Sequence, residues 1–320
     1  MNSVSIRLLA AALCCAAATP ALAQNWPTKP VRILVPFPPG GGTDIQARLL
    51  SKMFQAEFNQ NFVIDNRTGA GGLIAAQMTV DAPGDGYNLL FTSGSISVVT
   101  TLYASRMKFT VQNDLVPVSW LSTTPLVLSL HPSVPAKSVK DLVGLAKKRP
   151  SVAAGNDVGS TAHLSAEMLN QYAGLKTTVA TYRGGGPAVI ALISGEVDYL
   201  FATAPSIMPH LKAGKAKALA VTTEKPSPAL PDLPTMNSIY PGFISDNWYA
   251  MYFPKNTPKP IVDRMNAAIK KALDAPEVKS FMTREALEVI ASSPEGLVEK
   301  FKNDSARYAK VIKAANIKVE

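Results

Sequence analysis

The chain has 320 residues, 47% hydrophobic and 17% charged, and its 32 Lys and Arg exceed its 23 Asp and Glu for a formal net charge of +9. The basic residues are scattered, with Lys147-Lys148-Arg149 the densest cluster and no interleaved aromatics, which disfavours nucleic acid as a partner and leaves charge to serve solubility or the attraction of small anions. The only two cysteines, Cys14 and Cys15, lie near the N-terminus, in a segment expected to be removed, so the mature chain would have no disulfide framework, cysteine metal site or thiol nucleophile.

That segment is read as residues 1–23, a signal peptide. Arg7 is its only charge, the run Leu8 to Ala18 is apolar but too short to span a bilayer, and Ala21-Leu22-Ala23 fits a small-x-small cleavage site. The mature chain would begin near Gln24 with 31 basic against 23 acidic residues, a net charge of +8, and would be soluble and exported.

From there, strand-like and helix-like segments alternate, which predicts α/β layers with mainly parallel strands. Val31 to Val35 reads as a strand. Pro36-Phe37-Pro38-Pro39-Gly40-Gly41-Gly42-Thr43-Asp44 then turns into a helix with Ile45, Leu49, Met53, Phe54 and Phe58 at helical spacing. A glycine-rich turn opening a helix offers backbone N–H groups, with the positive end of the helix dipole behind them, and suits an anion. Strand 62–64, the turn 69–72, an alanine-rich helix and strand 88–92 follow, ending at Ser93-Gly94-Ser95.

Two apolar runs within 116–130 are separated by Ser122-Thr123-Thr124-Pro125, where the proline marks a crossing point. A second α/β unit contains helix 139–148, strand 152–154, Gly155-Asn156-Asp157-Val158-Gly159-Ser160 before a helix over 161–172, and Tyr182-Arg183-Gly184-Gly185-Gly186-Pro187 before a helix ending at Gly195. Residues 197–201 form a short strand, 223–247 a loop, and 248–253 a strand that returns to the first lobe. A helix starting at Pro260 buries Met265, Ile269 and Leu273, and a helical hairpin closes the chain. The two crossings describe a clamshell, with residues 24–123 and 248–320 in one lobe and 124–247 in the other. The strand-to-helix turns of both lobes lie where α/β sheets bind ligands.

The 40–44 turn is neither a dinucleotide fingerprint nor a Walker loop, because Ile45 stands at the third glycine position and Thr43-Asp44 replaces Lys-Ser or Lys-Thr. Glycines alone leave a ligand role and plain turn geometry equally open. Asp44 most simply caps the helix or braces the loop. His163, taken alone, is better read as a helix-terminal residue with a local partner than as a ligand donor. His131 and His210 show no metal spacing, and no His-Glu-x-x-His run or Gly-x-Ser-x-Gly elbow occurs. Ser93 and Ser95 lack a nameable base, so hydroxyl donation to a ligand is the economical reading.

Taken together, these motifs resemble the Bug family of TctC-like extracytoplasmic solute receptors of tripartite tricarboxylate transporters. The residues that carry the resemblance are Trp26-Pro27-Thr28-Lys29-Pro30-Val31-Arg32, Pro36 to Asp44, Gly84-Asp85-Gly86-Tyr87, Gly159 to Leu164, Tyr182 to Ala188, Gly195-Glu196-Val197-Asp198 and Leu230 to Thr235, in that order. The resemblance implies a two-domain periplasmic-binding-protein fold of the Venus-flytrap, type II-like kind, with a ligand cleft between lobes. It implies a periplasmic protein that captures a small carboxylate reversibly for membrane permease subunits, with no reaction and no cofactor or metal.

By that match, Pro38, Pro39, Gly40, Gly41, Thr43 and Asp44 belong to the pocket. Ser160, Thr161 and His163 grip from the second lobe, Tyr182 and Gly184 come from the Tyr-Arg-Gly turn, and Ser93, Ser95 and Thr203 supplement them. The chain departs from many relatives in carrying Ala202-Thr203-Ala204-Pro205 where an Asp is common, which disfavours a ligand amine, and Ala250 where Gly is common. Two other readings stand beside this one. One is an exported enzyme acting on an anionic small molecule, which lacks a nucleophile–base pair. The other is a ligand-sensing receptor for a membrane signalling partner.

Overall fold

A computed structural model describes residues 25–314 and residue 317. The segment expected to be a signal peptide and both cysteines lie outside the described residues.

Strand β1 (Val31–Val35) is the centre of the first lobe, parallel to β2 (Phe62–Asn66) on one side and to β3 (Asn88–Ser93) on the other. Its unbroken apolar run suits a strand covered on both faces. Val31, Ile33 and Val35 pack against α1 (Gly42–Phe58) and α10 (Lys259–Asp274), where Met265, Ile269 and Leu273 are buried as expected. Leu34 points the other way, toward α2 (Leu73–Val80), α3 (Ser95–Leu102) and the long C-terminal helix α12 (Pro294–Ala314). Strand β9 (Asp246–Pro254) runs antiparallel to β3 and divides in the same period of two. Tyr249, Met251 and Phe253 face one core, and Trp248, Ala250 and Tyr252 the other.

The second lobe repeats the plan. Strand β5 (Val152–Gly155) lies parallel to β6 (Thr178–Thr181) and β7 (Tyr199–Thr203). Leu126, Leu128, Leu130 and Phe201 pack under α5 (Val139–Ala146) and α6 (Thr161–Ala173). Val127, Leu200 and Ala202 pack under α7 (Gly185–Ser194) and α8 (Ala204–Lys212).

Strand β4 (Leu115–Leu130) is shared by both lobes. Up to Pro125 it pairs with β9, and from Leu126 it pairs with β7 and with β8 (Lys217–Val221). The proline therefore does not split this stretch into two runs. It sits where the strand exchanges partners, and its missing N–H costs no ladder bond there. The other passage lies between Ser245 and Asp246, where β9 begins.

Three further differences have local causes. The strand expected over 197–201 begins at Tyr199, because Gly195 takes a left-handed φ of 79° and Glu196 N donates back to Ala191 O, holding the chain in the helix cap. That shift makes Thr203 both the last residue of β7 and the N-cap of α8. The closing hairpin is instead α11 (Pro276–Arg284), then β10 (Glu288–Val289) paired with β4, then α12. Finally, a short helix α9 (Met236–Ile239) interrupts the loop over 223–247.

Candidate functional site

Five strand-to-helix junctions point into one cavity between the lobes. From the first lobe come Phe37, Gly41, Gly42 and Thr43 at the start of α1, and Ser93 and Ser95 at the start of α3. From the second come Asn156 after β5, Ser160 and Thr161 at the start of α6, Gly185 at the start of α7 and Thr203 at the start of α8. Asn247, the second residue of β9, completes the wall. The enclosed space is about 30 Å³, room for roughly two waters.

Helices α1, α3, α7 and α8 have no side-chain hydrogen bond at their N-caps. First-turn N–H groups that no helical carbonyl can satisfy are thereby left without a side-chain cap, although at α3 Ser95 N donates to Ser93 Oγ at 3.4 Å and Ser97 N to Gly94 O at 3.1 Å, and Pro187 and Pro205 have no N–H to offer. Only α6 is capped in the usual way, by Ser160 Oγ accepting from His163 N at 3.1 Å. Among the described residues, the twelve that line the cavity include no ionisable side chain. The positive potential is therefore built from aligned peptide dipoles and neutral donors rather than from Lys or Arg. Such a lining attracts an anion without locking it in an ion pair.

The lobes touch where their glycine turns meet. A Cβ on Gly184 would lie 2.5 Å from Pro38 Cδ, and one on Gly186 3.0 Å from Pro39 O. Gly41 lies 3.8 Å, measured from an added Cβ, from the Gly185 amide nitrogen. Glycine is needed here for this close approach, and at Gly184 also for its φ of 100°.

Of the residues singled out in the sequence, Gly41, Thr43, Ser93, Ser95, Ser160, Thr161 and Thr203 line the cavity. Pro38, Pro39 and Gly184 form the seam beside it, and Gly40 belongs to the same turn. Asp44 braces that turn from below, accepting from Gly40 N at 3.2 Å, Asn66 Nδ2 at 3.0 Å and Arg48 Nε at 2.9 Å. Burial pushes its carboxyl up, but these bonds outweigh burial and hold it below the usual range.

His163 lies under the α6 entrance, not in the cavity wall. Its Nδ1 accepts from Gly159 N at 3.3 Å, and burial pushes its pKa down to about 4, so it is neutral. Tyr182 points away, its hydroxyl donating to Glu196 at 2.7 Å.

Phe37, Gly42, Asn156, Gly185 and Asn247 line the cavity without having been singled out. The first four sit inside motifs read as turns, and their adjacency to the chosen residues was the available signal. Asn247 carries no local signal, because only the pairing of β9 with β4 brings it to the cleft.

The sequence from residue 46 to 317 matches the family model described as the tripartite tricarboxylate transporter family receptor, TctC. Protein BugT of Bordetella pertussis is 35% identical over 308 residues, covering 95% of this chain and 94% of that protein. Among solved structures, Rpa4515 of R. palustris with adipate superposes with a TM-score of 0.88 at 33% identity, covering 92% of this chain and 99% of its own. MatC of Rhodopseudomonas palustris with bound malate gives 0.85 at 29% identity, over 90% and 100%. With a two-lobed α/β fold, a cleft lined by helix entrances and a match along most of its length, the chain belongs to the TctC family of tripartite tricarboxylate transporter receptors.

Proposed function

We propose that this receptor captures a small organic carboxylate between its lobes and releases it unaltered. The observation that carries this reading is the convergence of five helix N-termini, four without side-chain caps, on a cavity free of ionisable groups. Adipate in one relative and malate in another support a carboxylate as the anion. Gly41, Thr43, Ser93 and Ser95 hold it from the first lobe, and Ser160, Thr161 and Thr203 from the second. Pro38, Pro39, Gly40 and Gly184 close the seam, and Asp44 keeps the turn in shape. Each helix entrance contributes roughly 0.3–1 kcal/mol toward an anion, so several together give useful affinity while allowing release.

The lobes pivot about the two passages, Pro125/Leu126 and Ser245/Asp246. Ligand touching both lobes favours the closed arrangement by its contacts to both, since only differential affinity shifts such an equilibrium. The protein works in the periplasm, exported by residues 1–23, and hands its ligand to the membrane permease subunits of a tripartite tricarboxylate transporter. Among the described residues no helix is long and apolar enough to cross a membrane, which accords with a receptor that meets its permease at the surface.

A thermal-shift screen across aliphatic and aromatic mono-, di- and tricarboxylates tests the reading. At least one acid is expected to raise the melting temperature in a concentration-dependent way, with a dissociation constant in the micromolar range or below, roughly −8 kcal/mol. No shift with any acid refutes it.

A further inference from the structure

We propose that Asp157 couples capture to protons, the lobes closing over an anion most readily when its carboxyl is protonated. This rests on the carboxylate-receptor reading and adds a regulation of the same site.

Asp157 lies in the turn between β5 and α6, directly after Asn156 and shortly before Ser160, both of which line the cavity. The turn belongs to the second lobe and packs on the first. A Cβ on Gly159 would lie 3.1 Å from Leu102 Cδ2 and 3.1 Å from Val99 Cγ1 of α3, and one on Gly71 would lie 3.1 Å from Val158 O. Asp157 is thus held in the seam between the lobes, beside the space that receives the anion.

The groups around it come from both sides of the seam. Tyr103, the C-cap of α3, feels the Asp157 charge from the opposite lobe: burial raises its phenol, Arg106 opposes the rise and Asp157 adds to it. The turn Ala70-Gly71-Gly72 brings no titratable side chain. In the second lobe, Arg183 stands in the turn before α7 and favours the ionised carboxyl, as does the backbone of Asp157 itself; burial prevails over both and pushes the group up to about 6. On α6, His163 is neutral, and Glu167 stands 4.0 Å from its Nε2. The His163 ring packs within its own lobe, where Gly159 N donates to it and a Cβ on Gly155 would lie 3.3 Å away, so closure leaves its surroundings unchanged.

Parting the lobes replaces α3 with water on one side of the Asp157 carboxyl, which then returns toward its ordinary range. A negative ligand in the cavity acts in the same direction as closure, because like charge disfavours the ionised form. The closed, liganded protein therefore holds a proton that the open, empty protein gives up, and acidification strengthens capture. Among the described residues the cavity lining has no ionisable side chain, so a pH response of the protein has to originate beside the lining, where Asp157 stands.

The test is calorimetric titration of the full mature chain with acetate, lactate, benzoate, succinate, malate, adipate and citrate, at several pH values and in buffers of different ionisation enthalpy. Near neutrality, at about pH 6, each acid that binds is expected to bring about 0.3–0.5 proton into the wild-type protein, after subtraction of the acid's own ionisation. Asp157→Asn keeps the shape and carries no charge, so it is expected to take up none. It is also expected to bind about threefold or more tighter than wild type at about pH 8, the gap narrowing by about two- to fourfold at about pH 5.5. A wild type and variant that differ by one constant factor at every pH overturn the inference and leave the carboxylate receptor in place. Wild-type binding without proton uptake also overturns it, and that result is read whether or not the variant folds. Failure of every acid to bind refutes the receptor reading and the inference with it.

Discussion

At Gly42 the two lobes leave no room for one more carbon. A Cβ there would lie 2.7 Å from Thr203 Oγ1 of the second lobe and would collide with the Tyr249 hydroxyl beneath it. Tyr249 is fully buried in the first-lobe core and cannot retreat; Thr203 can, by moving with its lobe. Gly42→Ala should therefore act as a wedge. Overpacking of this kind costs about 1–3 kcal/mol; the open arrangement relieves the Thr203 contact but not the closer one to Tyr249, which lies in the same lobe as Gly42. The expected result is a loss of acid affinity together with a lower unfolding midpoint, read by calorimetry and urea titration. A lower midpoint with unchanged acid affinity would place the strain wholly within the first lobe and remove Gly42 from the closure mechanism. Asp44 shows the complementary case of a residue that acts only through its neighbours. It lies beside the cavity, yet its carboxylate is spent on Gly40, Arg48 and Asn66, so it shapes the turn and is not among the residues that line the cavity.

At the scale of elements, part of the cavity lining is legible in the sequence and part is not. A glycine turn followed by helical periodicity marks a helix entrance by local chemistry alone, so the starts of α1, α6 and α7 were visible as Gly40 to Thr43, Ser160-Thr161 and Gly184 to Gly186. The α8 entrance was only partly visible: its N-cap Thr203 follows a strand whose start the sequence placed two residues early, and Pro205 and Pro209 obscure helical periodicity. Asn247 depends wholly on long-range pairing. Side-chain direction was not legible either. His163 has the right spacing to face the cavity, but Gly159 N holds its ring beneath the α6 entrance. The same entrance carries two titrations of opposite sign. His163 is pushed by burial from 6.5 down to about 4, so the unfolded chain takes up a proton that the folded one refuses, and stability is lost as pH falls from 6.5 through 4. Asp157 is pushed up from 3.8 to about 6, chiefly by burial, with its own backbone and Arg183 pulling weakly the other way. Its burial cost is absent below 3.8, grows as pH rises from there and is complete above 6. Between about pH 4 and 6 the two slopes offset each other and wild-type stability should be nearly flat. Asp157→Asn leaves the His163 slope alone. It should be more stable than wild type at pH 7, by on the order of 1–2 kcal/mol, and should lose about 1 kcal/mol per unit on acidification from 6.5 to 4. Urea midpoints measured across that range check this, and a variant as flat as wild type would show that the two groups do not oppose one another.

For the whole molecule, the decisive element is α12, which ties together parts that must move relative to one another. Tyr308, fully buried, packs between Val98 of α3 in the first lobe and Leu164 of α6 in the second, and its hydroxyl donates to Asp246 O at the second passage between lobes. Around it Asp246 accepts from Lys300 and Arg307, both at 2.9 Å, and Asp304 accepts from Trp248 Nε1 at 2.6 Å. Burial pushes the Asp246 carboxyl up, but the two cations prevail and hold it down to about 2. Asp246 therefore stays ionised across the physiological range, and its bonds to Lys300 and Arg307 fix α12 to β9. Both helices that Tyr308 touches begin in the cavity wall, α3 at Ser95 and α6 beside Ser160 and Thr161. Their entrances line the cavity at one end, and their flanks meet Tyr308 farther along. Closing the lobes completes both sets of contacts together, so part of the preference for closure lies in an apolar contact that the ligand never touches. Tyr308→Ala should cost about 3–5 kcal/mol in stability, as removal of a buried aromatic does. It should also weaken acid binding severalfold through a less favourable closing equilibrium, since affinity scales with the fraction of the competent state. Tyr308→Phe, which keeps the ring and loses one long hydrogen bond, should stay close to wild type in both. Small-angle scattering at saturating acid should give both variants the same compact form, and without acid the alanine variant should be the more expanded of the two. If Tyr308→Ala is destabilised yet binds the acid as tightly as wild type, α12 is packing for the core alone and closure is set entirely inside the cleft.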